Sequence, residues 1–245
     1  MASNNAYGPQ IPTDGLELHL DCNNAKSYPG AGTAWYDLSG KGLTHTLSNG
    51  AGLTTKRNVN FGRTDLDVKC MDCTGDNYIV DSGTTYNIDG ANKDSTLMAW
   101  AWALSDATAG VGAWRTLWRS TPNDHQIIIQ DSTDKIGFYD NNSSGFVQFG
   151  GGYGIRAGVD GISENWTLFT LVGRAGAGTS TLYINDGTLN ESATETTEGS
   201  HNAVGSNDGG GQPFGYVSTA TIYSRALTPR EIKQVWNAMR SRFGR

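Results

Sequence analysis

The sequence predicts an all-β protein, a sandwich or barrel of short antiparallel strands closed by one C-terminal helix. Three observations predict it. Only 17 % of the 245 residues are charged, against roughly 25 % in an ordinary globular chain. The 33 glycines supply the positive-φ positions that tight turns need. Apolar and polar residues alternate at period two in segment after segment, and clusters such as Asp140-Asn141-Asn142 and Asn185-Asp186-Gly187 punctuate them at roughly ten-residue spacing. Strands do not alternate with helical patterns, and no internal repeat or second composition zone divides the chain.

Residues 1–14 carry two prolines and no apolar periodicity, so they read as an extended arm. Tyr7, Pro9, Gln10, Ile11 and Pro12 are its candidate anchor residues for assembly. The domain proper is expected over 15–245. Its first strand has Leu16, Leu18 and Leu20 on one face and Glu17, His19 and Asp21 on the other. Further strands are predicted near 57–62, 66–71, 77–81, 95–104, 115–119, 125–130, 135–139, 145–149, 165–173, 180–185 and 214–224. The strand from Ser95 sets Met98, Trp100, Trp102 and Leu104 against Ala99, Ala101 and Ala103, and its aromatic face is expected to enter the sandwich core. A helix over about 229–242 begins with Thr228 as N-cap, Pro229 at the first helical position and Glu231 completing a capping box. Ile232, Val235, Trp236 and Met239 then recur at helical spacing and give it one apolar face.

Charge and apolar runs exclude several functions. A net charge of −6 offers no attraction to a phosphate backbone or an anionic bilayer, so neither nucleic acid nor membrane is an expected partner. The longest apolar run, Leu97 to Leu104, is less than half the roughly 20 residues of a membrane span, and the polar start has no signal-peptide core. Synthesis in a cytoplasm is the expectation. Cys22, Cys70 and Cys73 are an odd number without a second Cys pair, which argues against a disulfide scaffold and a zinc ribbon. Cys70 and Cys73 stand three apart, so on a strand they point to opposite faces and form no chelate.

Catalytic signatures are missing too. Glycoside hydrolysis needs two carboxylates across the bond, and none of Glu17, Glu164, Glu191, Glu195, Glu198 and Glu231 sits in an apolar-interleaved carboxylate strand. Gly-x-Ser-x-Gly and a phosphate-binding glycine loop are absent, and His19, His45, His125 and His201 are too scattered for a sequence-local zinc site. The chain is therefore expected not to be an enzyme, with a polysaccharide-degrading activity as the remote alternative. Calcium is the one ion left open. Asp21, Asp37 and Asp186 are its candidate ligands, and each reads equally as a turn-capping aspartate. Loop aromatics suit sugar stacking, with Trp114, Tyr153, Trp35 and Tyr36 as candidates; the competing reading of each is a plug over the core edge, which is favoured for Trp35 and Tyr36.

Several strings resemble the laminin-G-like, concanavalin A-like jelly-roll domains across nearly the whole chain. Gly15-Leu-Glu-Leu-His-Leu-Asp21, Ser27-Tyr-Pro-Gly30 and Trp35-Tyr-Asp-Leu-Ser-Gly40 look like that domain's opening. Trp166-Thr-Leu-Phe-Thr-Leu-Val172 with Thr181-Leu-Tyr-Ile-Asn185 resembles its central hairpin, and Thr221-Ile-Tyr-Ser-Arg-Ala-Leu227 its closing strand. Ser218 and Thr219 stand where that strand commonly has Asp and Glu. The opening is most similar to versions in virion proteins of tailed bacteriophages. The resemblance implies a two-sheet antiparallel jelly-roll, and a non-enzymatic virion surface protein of the capsid-decoration, knob or fibre kind. Its expected partners are other virion proteins or further copies of itself. Adhesion modules and lectins share the fold, so binding of host-surface glycans is the alternative.

Overall fold

The computed structural model describes residues 10–48, 51–57, 67–75, 77–81, 86–87, 93–105, 113–121, 124–141, 144–152, 154–197, 199–207 and 211–245. Among them the chain runs through β1 (Leu16–Asp21), β2 (Ala34–Tyr36), β3 (Thr44–Ser48), β4 (Leu53–Arg57), β5 (Asp67–Cys73), β6 (Tyr78–Asp81), β7 (Tyr86–Asn87), β8 (Ser95–Ala103) and β9 (Arg115–Thr121). It continues through β10 (His125–Ile129), β11 (Ile136–Asp140), β12 (Gly145–Gln148), β13 (Trp166–Gly173), β14 (Ser180–Ile184), β15 (Leu189–Ala193), β16 (Ser200–Val204) and β17 (Gly215–Tyr223). Helix α1 (Pro229–Met239) and a 3-10 turn, Arg240–Phe243, close it.

The strands form two antiparallel sheets. The first has the order β15-β14-β13-β8-β17-β5-β4, with β1 also on β17; the second has β12-β11-β10-β9-β16-β6-β3-β2, with β7 also on β16. Strand β17 holds β5 through Gly215–Val217 and β1 through Thr219–Tyr223, with a bulge between Val217 and Thr219. One long strand thereby binds the two ends of the chain into one sheet. The predicted jelly-roll sandwich is the observed architecture.

The direction in which β8 faces corrects the sequence reading. Leu97, Ala99, Ala101 and Ala103 join Leu117, Trp118, Ile127 and Phe169 in the inter-sheet core. Met98, Trp100 and Trp102 point the other way and form a second core with Trp166 and with Ile232, Val235, Met239 and Phe243 of the C-terminal segment. Small residues suit the inner face because the two sheets pack only about 10 Å apart and the opposing sheet supplies the bulk. The tryptophans fill the space under the helix, where Trp100 stacks on Trp236 (5.1 Å) and on Phe243 (4.0 Å). Cys70 lies in this helix-side core and Cys73 in the inter-sheet core, the opposite faces expected of them.

The helix starts as predicted. Thr228 accepts from the Glu231 N–H, and the Glu231 carboxylate accepts from the Thr228 N–H (2.9 Å) and from the Arg225 guanidinium. That hydrogen bond from Arg225 holds the Glu231 carboxyl down to about 2. The base of the arm belongs to the domain. Gln234 donates to the Gln10 carbonyl (2.6 Å), Tyr223 donates to the Pro12 carbonyl (3.0 Å), and Ile11 packs against the helix-side core. Tyr7 and Pro9 lie outside the described residues. Every helix in the described residues is too short and too polar to cross a membrane.

Candidate functional site

The helix covers one outer face of the sandwich, and the second sheet's outer face carries a cup at its β9–β12 end. Trp114, His125, Ile128, Tyr139, Asn141 and Gln212 line about 150 Å³ there. That is half the lower end of the roughly 300–1,000 Å³ of pockets that enclose drug-sized ligands, room for one small ring.

Rigid neighbours position Trp114. The next residue, Arg115, is fully buried, donates to the Leu104 carbonyl (2.7 Å) and pairs with Asp134 (2.8 Å), fixing the start of β9 by a planar fork. The Trp114 ring meets Tyr139 edge-on at 5.2 Å and Phe146 at 5.5 Å. Tyr139 and Phe146 are cross-strand partners on β11 and β12, and Gly137 makes room for them. A Cβ at Gly137 would come within 2.3 Å of the Val147 carbonyl and 2.7 Å of the Phe146 ring. Glycine is required there by close approach rather than by backbone angle.

A bulge brings the polar side of the cup into place. Between His125 and Ile128 the ladder slips by one residue, so His125 pairs with Tyr139 while Ile128 pairs with Gly137. Residues three apart normally face opposite ways; the slip puts both in the cup. The His125 ring lies edge-on to Tyr139 at 6.0 Å. Its Nδ1 lies 2.9 Å from Thr116 Oγ1, and that hydroxyl donates to Gln212 Oε1 at 2.6 Å. A hydroxyl has one proton, so Nδ1 must be the donor to Thr116, which leaves His125 Nε2 as an acceptor and the Gln212 amide as a donor. Burial, with Arg119 beside it, holds His125 down to about 4, so the ring is neutral at ordinary pH. Asn141 completes the rim, its N–H donating to Asp124 at 3.1 Å.

Of the aromatics chosen from sequence, Trp114 lines the cup and Tyr153 lies outside the described residues. Trp35 is a correction: it is fully buried in the inter-sheet core, so no ring face is open to a sugar. Tyr36 is 47 % exposed but stands on β2, at the opposite edge of the sheet from β12. The three aspartates do not converge. Asp21 accepts from Asn23 N–H and pairs with Arg242 at 2.8 Å; Asp37 accepts from the N–H groups of His19 and Ser39. Asp186 caps its turn by accepting from Thr188 N–H, the main cause of its lowered carboxyl pKa. Calcium takes six to eight oxygen ligands in one cage, and these carboxylates are turn caps at separate places. Among the described residues no group of three or more His, Cys, Asp or Glu could hold a metal. His125, Tyr139 and Gln212 escaped the sequence reading because a bulge and two loops, not a local motif, assemble them.

No protein-family model and no curated protein matches the chain. Solved structures do share its fold. A Trypanosoma rangeli sialidase in complex with the inhibitor DANA aligns with a TM-score of 0.56 at 13 % identity, over 96 % of this chain and 35 % of that one. The receptor-binding domain of a botulinum neurotoxin C/D mosaic serotype aligns at 0.55 and 15 % identity, over 92 % of this chain and 51 % of that one. The binding domain of botulinum neurotoxin DC in complex with SialylT aligns at 0.56 and 12 %, over 93 % and 52 %. The chain therefore spans about a third to a half of these proteins. The class defined is a β-sandwich of the jelly-roll kind.

Proposed function

We propose that the protein is a carbohydrate-binding sandwich module that holds a sugar in the Trp114 cup and does no chemistry on it. The observation that carries this reading is the pairing of an aromatic platform, Trp114 braced by Tyr139 and Phe146, with the Thr116–His125–Gln212 hydrogen-bond chain beside it. Sugar rings have apolar faces that stack on aromatics and hydroxyls that both donate and accept. Among the described residues, His125 is the one titratable lining group besides the Tyr139 phenol, and they supply no carboxylate pair of the kind that cleaves a glycosidic bond. The sandwiches in complex with SialylT or with a sialidase inhibitor agree with this reading at the level of fold. A glycan array of wild type, Trp114→Ala and Tyr153→Ala tests it. Binding lost in Trp114→Ala is expected; binding that survives both changes refutes the site.

The opening string from Gly15 to Gly40 favours a second reading that is compatible with the first. It resembles virion proteins of tailed bacteriophages, so the sandwich would be displayed on a particle and anchored to capsid or tail proteins or to its own copies. Many weak cups on one particle would then bind strongly by copy number. Native mass across a concentration series, with and without EDTA, tests assembly and any calcium dependence. Deleting residues 1–12 without effect on assembly would rule out the arm as anchor.

A further inference from the structure

We infer that the cup selects an uncharged terminal sugar and rejects one bearing a carboxylate, an inference that rests on the glycan-binding reading above. Two independent features of the lining carry it.

The first is hydrogen-bond polarity. Thr116 gives its only proton to Gln212, so His125 donates through Nδ1 and faces the cup with the bare Nε2 acceptor. A sugar hydroxyl satisfies that nitrogen by donating to it. A carboxylate is acceptor-only and would set lone pair against lone pair, leaving His125 Nε2 unpaired in the occupied cup. Deprotonated Nε2 persists across the ordinary pH range because the ring is held neutral.

The second is charge. Trp114, His125, Ile128, Tyr139, Asn141 and Gln212 include no cation. Arg119, the cross-strand neighbour of His125, is 6 % exposed and is not part of the lining. At the rim, the buried Asp124 carboxylate accepts from the Asn141 N–H. A carboxylate entering this site would be desolvated without a cationic side chain in the lining to pair with, the nearby positive charge being that of buried Arg119 beside His125, and an incompletely paired charge is costly to remove from water.

The test compares neutral oligosaccharides with counterparts ending in sialic or hexuronic acid, printed as matched pairs and then titrated in solution. The expected result is Trp114-dependent binding of neutral members, with acidic counterparts weaker by about tenfold or more. Equal or tighter Trp114-dependent binding of the acidic members overturns the inference and leaves the glycan-binding reading standing. Failure of every member overturns the reading itself. Asn141→Lys, at an exposed rim position, is a second variant that does not depend on losing a core contact. It should raise binding of acidic members about tenfold; no change would mean that charge does not set the selection.

Discussion

The Nε2 atoms of His45 and His201 face each other at 3.0 Å inside the second sheet, with both rings buried. His45 comes from β3 and His201 from β16, and the Trp118 ring stands edge-on to His201 at 4.9 Å. One nitrogen must donate and the other accept, so at least one ring is neutral. Burial holds His45 down to about 4 and His201 well below its ordinary value, while Asp37 only partly offsets this for His45. The unfolded chain takes up these protons near 6.5, whereas the folded chain takes up that of His45 only around 4 and that of His201 only well below its ordinary value, so stability should be full above pH 6.5. It should then fall steadily as pH drops toward 4. Urea unfolding at pH 8, 6, 5 and 4 measures this, and His201→Leu should flatten the slope. An unchanged midpoint from pH 7 to 4.5 would contradict it.

Trp35 and Tyr36 are adjacent but should behave differently. Removing the fully buried Trp35 ring should cost about 3–5 kcal/mol, whereas the half-exposed Tyr36→Ala should stay within about 0.5 kcal/mol. Denaturant titration of the two variants checks this. A small effect of Trp35→Ala would contradict its place in the core.

The C-terminal segment should behave as part of the domain rather than as a tail. Phe243 stacks on Trp100 at 4.0 Å, so Phe243→Ala should destabilise by about 3 kcal/mol or more. Loss of the helix cap in Thr228→Ala should cost about 1 kcal/mol. Thermal unfolding separates the two, and equal effects would show that the cap matters more than packing allows.

Burial pushes the Cys22 thiol up to about 12 and those of Cys70 and Cys73 higher still, so none is nucleophilic at neutral pH. A thiol-specific disulfide reagent at pH 8 should leave the native protein unlabelled and react with all three cysteines in denaturant. Rapid labelling of native protein would contradict the burial.

The strands with strong alternation were legible in the sequence: β8, β13, β14 and β17 start and end within a residue or two of expectation. Strands β2, β3, β4, β7, β15 and β16 were not: β2, β4 and β15 lie at sheet edges, and polar residues such as Thr44, Asn190 and Ser200 leave these segments without an apolar period. The orientation of β8 was misread since alternation says that two faces differ, not which layer covers each. Only the helix, docking from the far end of the chain, decides it. Of the cup, Trp114 was visible as a loop aromatic, while His125 and Gln212 reach it through a one-residue slip and a chain reversal that no local motif marks.

The central claim is that Trp114 is the surface that meets the sugar, and the indole N–H signals of the seven tryptophans test it most directly. In a titration of nitrogen-labelled protein with a neutral oligosaccharide that the array identifies, the account predicts that the Trp114 signal shifts saturably. The buried Trp35, Trp100, Trp118 and Trp166 signals should stay in place. Saturable binding that leaves Trp114 unmoved would contradict it.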